Sequence, residues 1–167
     1  MVIVIARKTN VRRHLILLSC CLSVHQLAVA SSCWELAAER YGLSVLELGA
    51  HACVESAMRP EAINSSHQAR TGTVDLGLMQ INSGNLPGLV RQGITREQLL
   101  SDPCTNLMVG AQILAERKAR YGDSWVATGA YNASCTQLKG AACDQARAAY
   151  AWKVYRAMQR LGSKGHC

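Results

Sequence analysis

The sequence predicts one domain of the mainly α class, and three observations carry that reading. Helix start signals recur along the chain: Ser32-x-x-Glu35, Ser44-x-x-Glu47, Thr95-x-x-Gln98 and Asp102-Pro103. Stop signals follow them at Tyr41-Gly42, Pro60 and Tyr121-Gly122. No long run alternates β-branched with polar residues, as a half-buried sheet would require. The 167 residues suit one domain, and 49 % hydrophobic against 17 % charged residues permits a packed core and argues against disorder.

The first thirty residues read as an export leader. Arg7, Lys8, Arg12 and Arg13 form a basic region without acids, Leu15 to Val24 is apolar, and Ala28-Val29-Ala30 supplies a small-x-small cleavage pattern before Ser31. The apolar part is too short to cross a bilayer, and His25 and Gln26 interrupt it. Leu17-Leu18-Ser19-Cys20 loosely fits a lipidation box, but the apolar stretch before it is shorter still. Cleavage after Ala30 leaves an expected mature domain of residues 31–167 with no membrane-spanning run. Net charge is +7, and removal of the leader's four cations leaves a mild positive balance. No Lys/Arg cluster interleaves with aromatics, so a nucleic-acid footprint is not expected.

The elements follow in order. Ser32 starts a helix that ends at Tyr41-Gly42. Ser44 starts a second, running to about Met58 because Pro60 restricts Arg59. Residues 62–90, rich in Ser, Asn, Thr and Gly, read as a long loop with at most a short turn of sheet. A loop of that length in a small domain points to function. Thr95 caps a short helix. Asp102 with Pro103 opens one that runs to Tyr121-Gly122, Asp123 caps the next through about Asn132, and the last runs from about Asp144 to Leu161.

Six cysteines remain after the leader: Cys33, Cys53, Cys104, Cys135, Cys143 and Cys167. In an oxidising compartment an even number points to disulfides, and the sequence alone does not choose among the many pairings. There is no C-x-x-C pair, and His51 and Cys53, two apart on a helix, splay away from each other, so no metal site is expected.

Chemistry concentrates in three places. On the second helix Leu48, Ala52 and Glu55 share one stripe, so Glu55 sits on a largely apolar face in the last turn. Desolvation and the negative helix end both raise its pKa, which suits a general acid. Ser56 could donate a hydrogen bond to that carboxylate or to a ligand. In the long loop, Gly77-Leu78-Met79-Gln80-Ile81-Asn82 places two amides, a usual grip on sugar hydroxyls and acetamides, beside a pliable Met wall. Ala130-Tyr131-Asn132-Ala133 ends a helix with a Tyr and an Asn between small residues. From pattern alone, a surface glutamate and a loop anchor that satisfies its own backbone stay open as readings.

In that order, Glu55-Ser56, Gly77 to Asn82 and Ala130 to Ala133 resemble the lytic transglycosylases of the soluble-lytic, goose-lysozyme-like superfamily, over about residues 33–160. Cys33-Trp34-Glu35 and Asp102-Pro103-Cys104-Thr105-Asn106 are similar to the small exported members that accompany type III secretion, type IV secretion, conjugation and pilus machines. The resemblance implies a lysozyme-like α domain with a glycan cleft, acting in the periplasm without a cofactor. It implies cleavage of the β-1,4 bond between N-acetylmuramic acid and N-acetylglucosamine in peptidoglycan, leaving 1,6-anhydromuramyl ends. Carried over, Glu55 is the acid/base, and Ser56, Met79, Gln80 and Asn82 line the cleft. Tyr131 matches the family's active-site tyrosine and Asn132 supports it. Tyr150, in Ala148-Ala149-Tyr150-Ala151, matches a further cleft tyrosine, with a buried helix residue beside Val154 as the alternative. Glycan strands are the implied partner, and components of a secretion or pilus apparatus are a further one.

The resemblance also pairs Cys33 with Cys104 and makes Cys135–Cys143 a local bridge. That leaves Cys53 as a buried free thiol, and Cys167 free or bridged to another chain. Ser134 departs from the pattern, standing where Gly is usual after Ala133. Most glycosidases use two carboxylates. Asp75 is the second candidate here, but the implied mechanism needs only Glu55, because the substrate's N-acetyl group and its 6-hydroxyl supply the rest. A hydrolytic lysozyme with a water held by Asp75, and a non-catalytic glycan-binding scaffold, are the rival readings.

Overall fold

In the computed structural model, which describes residues 32–167, helix α1 (Cys33–Tyr41) opens on a complete capping box. The leader expected over residues 1–30 lies outside the described residues. The Ser32 hydroxyl accepts from Glu35 N–H, and the Glu35 carboxylate accepts from Ser32 N–H at 2.6 Å. Helix α2 (Val45–Ser56) starts on Ser44, but only half of the expected box forms. Glu47 turns instead to the Lys118 ammonium at 2.7 Å, since a charged partner outbids a cap N–H. Helix α2 stops at Ser56 and not at Met58, because Ala57 and Met58 both take the left-handed conformation ahead of Pro60.

The long loop is more structured than expected. It holds a three-stranded antiparallel sheet in the order β1 (Ile63–Asn64), β2 (Asp75–Leu76), β3 (Ile81–Asn82), with Leu76 opposite both Ile63 and Ile81. Helix α3 (Gln68–Thr71), a 3-10 turn (Ser83–Asn85) and helix α4 (Leu86–Val90) complete it. Helix α5 (Arg96–Ser101) begins on the reciprocal Thr95–Gln98 box, and α6 (Pro103–Tyr121) on Asp102, as predicted. Helix α7 (Trp125–Asn132) is capped by Ser124 and not by Asp123, whose carboxylate pairs with Lys118 at 2.8 Å. Helix α8 (Gly140–Lys164) is longer at both ends than the predicted 144–161.

Helix α8 packs on α2 and α7, and α6 packs on α7 and α1. Leu48, Ala52, Leu76, Met79, Leu107, Ala111 and Leu114 are buried in one cluster, and Ala50, Tyr150, Val154 and Ala157 close the α2–α8 seam. This arrangement leaves the last turn of α2 facing the small sheet. Among the described residues, no helix is long and apolar enough to cross a membrane.

Among the described residues, three disulfides tie the fold. Cys33–Cys104 joins α1 to α6, and Cys135–Cys143 closes the approach to α8, as the resemblance implied. The third corrects an expectation: Cys53 is not a free thiol and Cys167 is not left for another chain, for the two are bonded to each other. With α8 continuing to Lys164 along α2, the chain end is carried to the face of α2 that bears Cys53, at a Cα separation of 5.6 Å.

Candidate active site

The stripe predicted on α2 forms: Leu48 and Ala52 are fully buried and Glu55 follows them at the helix end. Glu55 lines an open cleft of about 500 Å³ together with Arg59, Asn64, Ser65, Ser66 and Gln80. A larger apolar groove of about 540 Å³, lined by Trp125, Trp152 and Tyr155, shares no lining residue with this cleft.

The Glu55 carboxylate is held from behind. Its Oε1 accepts the hydroxyl of Tyr150, which α8 places in the buried seam. Burial pushes the Glu55 carboxyl up to about 7; the Tyr150 bond works against that rise, and the nearby charge of Asp75 adds to it. A carboxyl titrating there holds its proton near neutrality, as a general acid must. Burial, with the Glu55 charge behind it, also pushes the hydroxyls of Tyr131 and Tyr150 well up, so both stay protonated.

One turn before Glu55, His51 is completely buried. Its Nδ1 lies 3.0 Å from the Tyr150 hydroxyl, and its Nε2 has no partner among the described residues. An unmade buried hydrogen bond costs about 1–3 kcal/mol. Burial drops the imidazole to about 3, so it is neutral. The Tyr131 ring meets it edge-on with centroids 4.8 Å apart, and the Tyr131 and Tyr150 rings stack at 6.4 Å.

The motif loop reaches the site through its backbone more than its side chains. Gly77 has φ +74, and a Cβ there would lie 2.2 Å from Asn106 Nδ2 and 2.4 Å from Leu99 O, so only glycine fits. Ser56, expected beside the carboxylate or a ligand, instead donates its hydroxyl to Leu78 O at 2.7 Å and is buried. It ties the end of α2 to the motif. Met79, expected as a cleft wall, buries its side chain against Gly110 of α6, where no Cβ stands in the way. Its carbonyl accepts the Tyr131 hydroxyl at 2.8 Å, which links α7 to the loop.

Gln80 faces the cleft, with its amide nitrogen donating to Ala62 O and Gly77 O. Asn82 turns into the sheet: its nitrogen donates to Thr73 Oγ1 and Asp75 Oδ1, and its oxygen accepts Gly84 N–H. The other Asp75 oxygen takes His67 Nε2 at 2.7 Å. Asn132 is exposed at the end of α7. Two residues that hold the site, His51 and Asn106, had no site role in the sequence reading. Helical spacing, four before Glu55, was the available signal for His51.

The transglycosylase SLT domain family matches residues 32–152, a span that holds Glu55, the motif loop, Tyr131 and Tyr150. The chain belongs to that family. This SLT domain is 40 % identical over 134 residues to "Invasion protein IagB" of Salmonella typhi, covering 80 % of this chain and 81 % of that one. It is 36 % identical over 137 residues to "X polypeptide" of Escherichia coli, covering 82 % and 78 % of the two chains. To "Protein IpgF" of Shigella flexneri it is 34 % identical over 134 residues, covering 80 % and 84 %. Among solved structures it is similar to an inactive mutant of lytic transglycosylase Slt from Pseudomonas aeruginosa, with a TM-score of 0.58 and 22 % identity. That match covers 78 % of this chain and 24 % of the much longer Slt chain, and it is a likeness of fold. The SLT domain here is therefore mainly α and lysozyme-like, and its class is that of the peptidoglycan lytic transglycosylases.

Proposed function

We propose that this SLT domain cleaves the β-1,4 bond between N-acetylmuramic acid and N-acetylglucosamine, leaving 1,6-anhydromuramyl ends. The observation that carries the reading is Glu55: one cleft carboxyl, pushed up to about 7 by burial and held by Tyr150. Protonated Glu55 gives its proton to the glycosidic oxygen as the bond from that oxygen to the muramyl anomeric carbon breaks. The muramyl acetamide carbonyl supports the positive charge that develops. Glu55, now anionic, takes the proton of the muramyl 6-hydroxyl as that oxygen bonds to the anomeric carbon. One bond is lost and one is gained, no water is consumed, and Glu55 regains its proton. Gln80 and Asn132 are the amides we assign to the glycan, with Arg59, Asn64 and the Ser65–Ser66 edge along the cleft. Ser56, Met79 and Asn82 hold the frame behind them.

Hydrolysis through Asp75 is the weaker reading, because that carboxylate is engaged by Asn82 and His67 and is not among the residues lining the cleft. We place the enzyme in the periplasm, exported by residues 1–30. The likeness to a protein named for invasion supports a local opening of the wall for a secretion, conjugation or pilus apparatus. Digestion of purified sacculi, with analysis of the muropeptides, tests the chemistry. Anhydro ends are expected, and reducing muramyl ends would establish hydrolysis instead. A drop in products of about a hundredfold or more is expected in Glu55→Gln, and undiminished lysis would remove Glu55 from the reaction.

A further inference from the structure

The reaction above gives His51 no task, yet the fold buries it completely and leaves one of its nitrogens without a partner among the described residues. Its position explains why. The Tyr150 hydroxyl stands between His51 Nδ1 and Glu55 Oε1. A phenol has one proton to donate and lone pairs to accept with. That proton goes to Glu55 Oε1, so in the 3.0 Å contact with His51 the phenol oxygen accepts and Nδ1 carries the hydrogen. A neutral imidazole has a single N–H. Nε2 is then a bare lone pair, which accounts for the unpartnered atom. The other tautomer would bury an N–H with no acceptor and turn the Tyr150 proton away from Glu55.

The chain of donors has a consequence at the carboxyl. With Oε1 receiving the Tyr150 proton, the acidic proton of Glu55 is confined to Oε2, which has no protein partner among the described residues and is left for the substrate. If Tyr150 were free to rotate, Glu55 could donate back to the phenol and hide its proton on Oε1. Tyr131, edge-on at 4.8 Å, fixes the plane of the imidazole that prevents this.

We propose that His51 is a positioning residue that locks Tyr150 as a donor to Glu55 Oε1 and so keeps the acidic proton on Oε2. The proposal rests on Glu55 being the acid. The test uses the purified protein and a soluble uncrosslinked muramyl glycan oligomer. His51→Leu removes the donor, whereas His51→Asn places an amide N–H where Nδ1 stands. We expect kcat to fall about tenfold in His51→Leu with KM within about twofold, and His51→Asn to recover most of the loss. In a Tyr150→Phe background, His51→Leu should change kcat no further. Nitrogen NMR of the parent protein should show a protonated Nδ1 and a bare Nε2.

An unaltered kcat in His51→Leu, an Asn variant as slow as the Leu variant, additive losses with Tyr150→Phe, or an Nε2–H tautomer would each overturn the proposal. If His51→Leu fails to melt cooperatively, the Asn variant and the NMR tautomer still decide. Glu55→Gln separates the two levels. Retained cleavage there refutes the acid itself, while an inactive Glu55→Gln beside a fully active His51→Leu refutes only the role of His51.

Discussion

Asn106 on α6 holds Met79 across 27 positions of sequence: its amide oxygen accepts the Met79 N–H at 2.7 Å. The same side chain donates to Leu76 O at 2.9 Å and to Leu99 O at 2.8 Å. One buried amide thus fixes both sides of the Gly77 turn. Asn106→Ala strips partners from three buried backbone groups, each worth about 1–3 kcal/mol when left unmade. A loss of at least about 3 kcal/mol is expected in denaturant unfolding. Cleavage should fall with it, because the Met79 carbonyl anchors Tyr131. A variant that unfolds with the parent would show that the turn stands without this anchor.

The half-buried Glu55 couples activity and stability to pH. As the proposed acid it must be protonated, so cleavage should decline as pH rises through about 7. Its carboxyl is raised from an ordinary 4.5. The stability it contributes is therefore fully present below about 4.5 and lost as pH rises through about 7, a difference on the order of 3 kcal/mol. Glu55→Gln removes that loss. The variant should melt above the parent at pH near 8, with the gap closing near pH 4.5, while cleavage drops about a hundredfold or more. His51, dropped to about 3 by burial, destabilises both proteins alike toward acid and cancels in the comparison. A gap that did not change with pH would mean that Glu55 titrates like a solvated acid.

The helices were legible because their caps are local. Ser32–Glu35, Thr95–Gln98 and Asp102 act within one turn, so the sequence contains the whole interaction. Two of the misread caps involve a distant partner. Glu47 and Asp123 both leave their expected caps for Lys118, which only the folded chain brings to them. Strands of two residues carry no periodicity, so the sheet inside residues 62–90 left no pattern to find.

Which side chains gather at the candidate site was legible, and how they point was less so. Glu55 and Gln80 face the cleft as read, and Tyr131 and Tyr150 converge behind it. Met79 and Ser56 belong to the same motifs but point into the core, since a motif marks a required residue without saying which atom is used. His51 and Asn106 act through contacts that close only when α2 meets α8 and when α6 meets the loop.

Close helix packing sets the position of Tyr131. Gly129, two residues earlier on α7, has room for no side chain: an added Cβ would lie 2.5 Å from the Arg147 carbonyl oxygen of α8. Backbone cannot yield as a flexible side chain can, so Gly129→Ala should push the helices apart at a cost of about 2 kcal/mol and slow cleavage through Tyr131. Gly162 on α8 meets nothing within 4 Å, and Gly162→Ala should stabilise by about 0.5–1 kcal/mol with activity unchanged. Thermal melts and cleavage rates of the pair check the contrast. Equal effects would mean that α7 is free to shift on α8.

The bond between Cys53 and Cys167 ties the chain end to the helix that carries Glu55, two residues before it. It closes a separation of 114 residues, whereas Cys135–Cys143 closes only 8. If a disulfide acts by restricting the unfolded chain, the longer loop restricts it more, by about 2 kcal/mol on the loop-length dependence. Cys167→Ser should therefore lower the unfolding free energy by more than Cys135→Ser does. The other bridges remain, and Tyr150 still meets Glu55 through the α2–α8 seam, so the folded variant should keep its cleavage activity at 25 °C. Mapping a non-reduced digest should recover the Cys53 peptide joined to the C-terminal one. Free thiols at both positions, or a covalent dimer through Cys167, would show that the chain end is not fastened to α2.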